Sequence, residues 1–438
     1  MTSGTENLAA GDLPRPRQPA SGHDTTASGE SITIAVAEGN YLYDGAGRRY
    51  LDGISALGEV VHGHGEPDIC GAMRDQLTRM DRAAPSGQPH EPGAVLAERL
   101  VASAPEGFSG IRFASDGAAA AGIALAIAHR IALRGDGSRH RYVRIAAPQH
   151  GGPLDRGTEH DAAPYVRVPL QPRSISSPGA LEPEQARVER TGRTLAELGE
   201  VLAREGDEVC ALLIEPMVQV GAGMLTYDAS FLRIAAKLAR EHDALLIADE
   251  RATGFGRSGR MWAVEHAGVV PDLLICGSGL TGGALPMAAV LMSADVHAAL
   301  NGISGPADTL TGYTAGELAD TAYPLGCAAA LANLDLMAER ATVEHAAKLG
   351  ELLGEQLAPL RDYNGVREVR RLGVMAGVEI VPDGERTAWQ VCLAAQRRGV
   401  WLQAHGDTVL AMPPLGLDAG EIEELGTVLT AAVGETTQ

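Results

Sequence analysis

Six short, largely apolar runs punctuate the chain: Ile111–Ala114, Tyr142–Ala146, Ala211–Met217, Ala244–Ala248, Asp272–Cys276 and Ala288–Met292. A strand with one wet face alternates polar and apolar residues. Runs as continuous as these need cover on both faces, which confines the chain to a mostly parallel sheet packed between helices. The stretches between them agree. Phe231–Glu241 places Leu232, Ala235, Ala236 and Leu238 at helical spacing, and Ala118–Ile131 reads as an alanine-rich helix opening after Asp116-Gly117.

Other elements flank this α/β centre. Gly39 to Asp52 alternates apolar and polar residues about a glycine-rich turn, the pattern of a hairpin. Pro324–Glu339 reads as a long helix leading into a C-terminal α+β unit with strands at Val374–Ile380 and Val400–Gln403. The expected organisation is a disordered tail over 1–30, rich in Thr, Ser, Gly, Pro and Ala, the first part of a small domain over 31–75, a large domain over 76–322, and the C-terminal small domain over 323–438. Residues at the carboxyl ends of parallel strands converge on one crevice. Asp116, His150, Glu215, Asp249 and Ser278 all fall at such ends.

Bulk properties exclude several classes of partner. A formal charge of −20 lacks the basic footprint that nucleic acid or an anionic membrane requires. The five cysteines (Cys70, Cys210, Cys276, Cys327 and Cys392) are scattered and mostly lie in apolar runs, as in a reduced cytoplasmic protein. His62 and His64 stand in a glycine-rich turn without further ligands at metal spacing, so no metal is expected. No apolar run near the start has the form of a signal peptide.

The segment from Leu245 to Arg260, LLIADERATGFGRSGR, resembles the Asp-Glu-(Val/Ile)-x-Thr-Gly-Phe-Gly-Arg-Thr-Gly signature of class III (ω) aminotransferases. Ile214-Glu215-Pro216-Met217-Val218-Gln219, Gln149-His150-Gly151, Leu280-Thr281-Gly282-Gly283 and Tyr323-Pro324-Leu325-Gly326 are similar to further motifs of that family, in the family's order. The resemblance spans about Tyr41 to Pro414. It implies the fold type I of pyridoxal phosphate (PLP) transferases, with a large α/β domain and a small α+β domain. It also implies a homodimer acting on a small molecule.

Measured against the family pattern, this chain departs at several positions. Ser278 stands where the family carries the lysine that forms an imine with PLP. Asp249 matches the aspartate that keeps the pyridinium nitrogen protonated, but Arg251 replaces the aliphatic residue that supports the ring. Residues two apart on a strand point the same way, so Arg251 either pairs with Asp249 or binds an anionic substrate. Asp116-Gly117-Ala118 replaces the phosphate cup. A carboxylate about 5 Å from a phosphate charge costs on the order of 3 kcal/mol, more than the ~0.3–2 kcal/mol a helix terminus returns; alternatively Asp116 caps the helix. Gln149 stands for the ring-stacking aromatic, and Gln403 for a substrate-gripping arginine. Lys237 lies on an amphipathic helix and cannot replace the missing amine.

These departures lead to the expectation that no cofactor is used, PLP binding having been lost from a vestigial pocket of Asp116, Gly117, Ala118, Gln149, Asp249 and Ser278. The expected protein is a PLP-independent cyclase, isomerase or lyase of secondary-metabolite biosynthesis. Asp249 and His150 would move protons, Arg251 would stabilise negative charge, and Ser278, Gln149, Asp116, Glu215, Gln219 and Gln403 would bind substrate. Structural roles stand beside these, above all for His150, Glu215 and Gln219. Two alternatives remain, a catalytically silent partner of an active aminotransferase and a residual PLP-dependent aminotransferase.

Overall fold

The computed structural model describes residues 32–82, 89–133, 138–146, 165–169, 184–301, 322–384 and 387–437. The first strands are β1 (Ile34–Glu38), β2 (Tyr41–Asp44) and β3 (Arg49–Asp52). The next are β4 (Phe108–Ala114), β5 (Arg141–Ala146), β6 (Tyr165–Pro169), β7 (Val209–Ile214), β8 (Val218–Gln219), β9 (Leu225–Thr226), β10 (Leu245–Asp249), β11 (Leu273–Cys276) and β12 (Ala288–Ser293). The C-terminal strands are β13 (Val366–Leu372), β14 (Met375–Ile380), β15 (Val400–Trp401), β16 (Gln403–His405) and β17 (Thr408–Ala411).

Among the described residues the central sheet has seven strands in the order β4-β12-β11-β10-β7-β5-β6. Strands β6, β5, β7, β10 and β11 pair in parallel, with Ile247 opposite Leu213 on one side and Leu273 on the other. The sheet is mostly parallel, as its apolar runs require, with one exception. Strand β12 is antiparallel to both β11 and β4, because the Gly277–Met287 connection is too short to carry a crossover helix.

Burial on both faces follows the two-residue period of the strands. Leu212, Ile214, Leu246, Ala248 and Leu274 point into one apolar cluster, where Phe231 and Leu232 of the helix Ala229–Glu241 meet them. Their neighbours Leu213, Ile247, Leu273 and Ile275 point into the other, against Ile123 and Ile127 of the helix Gly117–Ala132. Each fully buried side chain of this size contributes about 1.5–3 kcal/mol.

The two ends of the chain share structure. β3 runs parallel to β15, with Leu51 opposite Val400, so the N-terminal hairpin completes a sheet whose last strand comes from the C-terminal unit. A further sheet, β13-β14-β17-β16, packs with Leu349, Leu353, Val391 and Leu429 in a separate core. Among the described residues, no helix is long and apolar enough to cross a membrane.

Candidate active site

The carboxyl ends of β4, β7, β10 and β11 open on one side of the sheet, and their last residues lead into Asp116, Glu215, Asp249 and Ser278. Asp249 ends β10 and is buried. Arg251 turns back on it, Nε donating to Oδ1 at 2.8 Å and Nη2 to Oδ2 at 2.7 Å, while the Arg251 backbone N–H also reaches Oδ1 at 3.3 Å. The pair is well shielded, the side chains being 10% and 5% exposed. A forked guanidinium–carboxylate pair is the geometry that compensates desolvation of both charges.

The stem of Arg251 lies across the start of the helix Gly117–Ala132. A methyl group on Gly117 would stand 2.7 Å from Arg251 Cδ, so glycine is what lets the side chain pass. Gly277 is similarly tight, since its methyl would stand 2.9 Å from the Arg251 carbonyl oxygen. Asp116 caps the helix, its Oδ1 accepting from the N–H groups of Ala118 and Ala119 at 2.9 Å each. The Ser115 hydroxyl donates to Oδ2 at 3.0 Å.

Ser278 is buried at the opening of a short 3-10 turn, Ser278–Thr281, with Glu59 as a near neighbour. Glu59 is exposed, yet the protein around its carboxyl raises the pKa, which the nearby Ser278 partly opposes. The backbone that presents Glu59 is strained. Ser55, Ala56 and Leu57 have φ of +44°, +52° and +61°, a left-handed turn that costs side-chain-bearing residues about 1–2 kcal/mol each. Several bonds hold it. Asp52 Oδ1 accepts from the N–H groups of Ile54 at 3.0 Å and Ser55 at 2.8 Å, and the Ser55 hydroxyl donates to the Met412 carbonyl at 2.5 Å. From the far side, buried Arg257 donates to the carbonyls of Gly58 at 2.8 Å, Val60 at 3.0 Å and Pro413. Burial brings the Arg257 pKa down to about 9, with Asp52 opposing.

The sequence-derived candidates therefore divide. Asp116, Asp249, Arg251 and Ser278 lie along one connected wall with Gly117, Gly277 and Glu59. Gln219 is buried and donates to the Ile145 carbonyl at 2.7 Å, bridging to the end of β5. Glu215 follows β7, and its carbonyl accepts from the Tyr227 hydroxyl. Gln403 begins β16, opposite Leu410, in the C-terminal sheet. Gln149 and His150 lie outside the described residues. Glu59 was not anticipated, and the signal available for it was a lone carboxylate within the apolar run from Ile54 to Val61. Glu250, beside Asp249, is an anchor; it accepts from Thr253 and from the N–H groups of Ala263 at 2.9 Å and Val264 at 2.8 Å. Among the described residues, no cluster of three or more His, Cys, Asp or Glu could hold a metal ion.

Comparison with known proteins extends this picture. The family model described as aminotransferase class-III matches residues 25–433. An adenosylmethionine-8-amino-7-oxononanoate aminotransferase from Nitratidesulfovibrio vulgaris is 37% identical over 432 residues, covering 93% of this chain and 78% of that relative. The crystal structure of the enzyme of the same name from Methanocaldococcus jannaschii has a TM-score of 0.79 at 27% identity, with 94% of each chain covered. An amine transaminase from an uncultivated Pseudomonas species, solved in its PLP-bound internal-aldimine form, has a TM-score of 0.84 at 28% identity, covering 97% of this chain and 99% of that one.

These findings overturn the expectation of no cofactor: the named relatives are aminotransferases, and the PLP-bound neighbour points to PLP as the coenzyme that goes with this fold. The error lay in reading the fate of a coenzyme from departures at single positions, Asp116, Gln149, Arg251, Ser278 and Gln403, when the rest of the family's pattern is retained. Side chains in the described pocket nonetheless do not fit an imine-linked coenzyme. The chain's lysines are Lys237, exposed and beside Glu241, and Lys348, exposed on the helix Thr342–Leu357. Both oxygens of Asp249 are held by Arg251, and Asp116 holds the first N–H groups of the helix. With the family match spanning most of its length and a relative at 37% identity, the chain belongs to the aminotransferase class-III family.

Proposed function

We propose that the chain is a homodimeric enzyme of secondary metabolism that acts on a small molecule through side-chain proton transfer, as a cyclase, isomerase or lyase. The observation that supports this reading is the place of buried Ser278, close to Glu59 and beyond Gly277 from the shielded Asp249–Arg251 pair. A serine hydroxyl cannot form an imine, but it orients a carboxyl group well. Glu59, with its raised pKa, is suited to accept a proton from carbon and return it elsewhere. In such a step the C–H bond breaks, its electron pair stays on the substrate, and the proton rests on the Glu59 carboxylate until it is delivered to a second atom. Arg251 and Asp249 form a charge-compensated pair that fixes one edge of this wall.

A second reading, PLP-dependent transamination, is favoured by the relatives' names and by the coenzyme-bound neighbour. PLP would supply an electron sink; Asp249 would face its ring nitrogen, and the start of the helix Gly117–Ala132 its phosphate.

One experiment separates the two. The purified protein is given S-adenosylmethionine and 8-amino-7-oxononanoate in D2O, with and without added PLP. Amine transfer is followed by mass spectrometry and carbon-bound hydrogen exchange by NMR. Side-chain chemistry predicts exchange next to the ketone without amine transfer, lost in Glu59→Gln. Amine transfer that requires added PLP establishes transamination instead. Neither activity, on this pair or on a panel of amino ketones, refutes the enzymatic reading and leaves the silent partner.

A further inference from the structure

Asp249 is the natural counter-ion for a cationic ring nitrogen, and it already has a cation. Arg251 meets both of its oxygens, at 2.7 and 2.8 Å, through a side chain that is itself shielded from water. The stem approaches Gly117 so closely that a single methyl group there would stand 2.7 Å from Cδ and 3.5 Å from Cγ. Arg251 thus bridges the carboxylate at the end of β10 and the first turn of the helix after β4. These are the two places at which a phosphorylated pyridinium would be held by charge and by N–H groups.

We infer that Arg251 is an internal ligand of this pocket, a plug that any ring cation must displace before it reaches Asp249. Exchange at the carboxylate is balanced in charge: the guanidinium leaves as a pyridinium N–H arrives, and one forked pair is replaced by one charge-assisted hydrogen bond. The imbalance lies elsewhere. The departing guanidinium has to leave a shielded position for water or for a ligand's phosphate, and the incoming ring needs the volume its stem now fills. Coenzyme affinity in the native protein is therefore set by the release of Arg251 as well as by contacts with the coenzyme. This inference concerns occupancy of the pocket, so it stands whether the turnover reaction is proton transfer or transamination.

The test uses pyridoxamine 5′-phosphate, which has no aldehyde to react with Lys237 or Lys348, and measures binding to the full chain by fluorescence and by calorimetry. Arg251→Val is expected to bind it at least tenfold more tightly than the wild type. The gain should disappear in Asp249→Asn/Arg251→Val, where the carboxylate awaiting the ring nitrogen is gone. Arg251→Gln keeps a donor for Asp249 with a shorter stem, and is expected to give an intermediate gain; it also serves if Arg251→Val fails to fold. Equal affinity in the wild type and in a folded Arg251 variant overturns the inference. So does a gain that survives loss of the Asp249 carboxylate.

Discussion

Glu250 offers a pH-dependent test of how the site is anchored. Its carboxyl is fully buried and accepts from Thr253, Ala263 and Val264, fastening the end of β10 to the short 3-10 turn Ala263–His266. Burial is the largest influence on it and, against those three donors, raises its pKa from 4.5 to about 7. The fold therefore binds a proton more tightly than the unfolded chain. Stability from this group is complete below pH 4.5 and is lost as the pH rises through about 7. The gap corresponds to about 3 kcal/mol. Urea unfolding of wild type and Glu250→Gln at pH 5 and pH 8 isolates it, since other titrating groups are common to both proteins. Wild type should lose about 2–3 kcal/mol more than the variant between the two conditions, a little of the total being already lost at pH 5. At pH 5 the variant should already be less stable by about 1–3 kcal/mol, because one end of the amide sets an N–H against a backbone N–H. Parallel pH profiles for the two proteins would refute the assignment.

Three further outcomes follow from the geometry. Asp249→Ala takes both carboxylate oxygens away from the shielded Arg251 guanidinium and should cost about 3–5 kcal/mol in chemical denaturation, most of it recovered in Asp249→Ala/Arg251→Met. Ala56→Gly, at an exposed position with φ of +52°, should stabilise the fold by about 1 kcal/mol, seen as a Tm higher by a few degrees, because glycine adopts this conformation without strain. Asn333→Ala removes the amide that donates to the carbonyls of Gly279 at 3.1 Å and Leu280 at 3.0 Å, directly behind Ser278. It should cost about 1–3 kcal/mol in the same assay.

The sheet was legible in the sequence because burial on both faces leaves continuous apolar runs, and six of its strands differ from the expected runs by at most three residues at an end, while the edge strand β6 was not among them. The reversal of β12 was not read, since an apolar run has no direction and the length of its connection was not weighed. At the site, the legible residues were those whose position depends on local chain geometry. Asp249, two residues from Arg251, and Asp116, at a helix start, are set by strand period and capping. Glu59 and Arg257 were hidden for the opposite reason. Glu59 lies near Ser278 although more than 200 residues of chain separate them, and the left-handed turn that presents it is fixed by Arg257 and Met412, contacts that no local pattern encodes.

The pairing of charges along the wall bears on whether this pocket has drifted or been refitted. Random loss of function would leave charged replacements without partners in a shielded place, at several kcal/mol each. Here Arg251 is met by Asp249, and Asp116 by helix N–H groups and the Ser115 hydroxyl. If these pairs form one fitted surface, restoring the amine at position 278 is not enough to restore an imine-forming pocket. Ser278→Lys should place its ammonium against Glu59, where an ion pair holds it protonated and unreactive, while Arg251 still occupies the space beside Asp249. Mixed with stoichiometric PLP, Ser278→Lys should show no borohydride-sensitive visible absorbance beyond that of wild type. Ser278→Lys/Arg251→Val/Glu59→Gln should show it, with the reduced adduct mapped to residue 278 by peptide mass spectrometry. A full-strength signal in Ser278→Lys alone would mean that the serine is an isolated loss and the surrounding pairs are incidental.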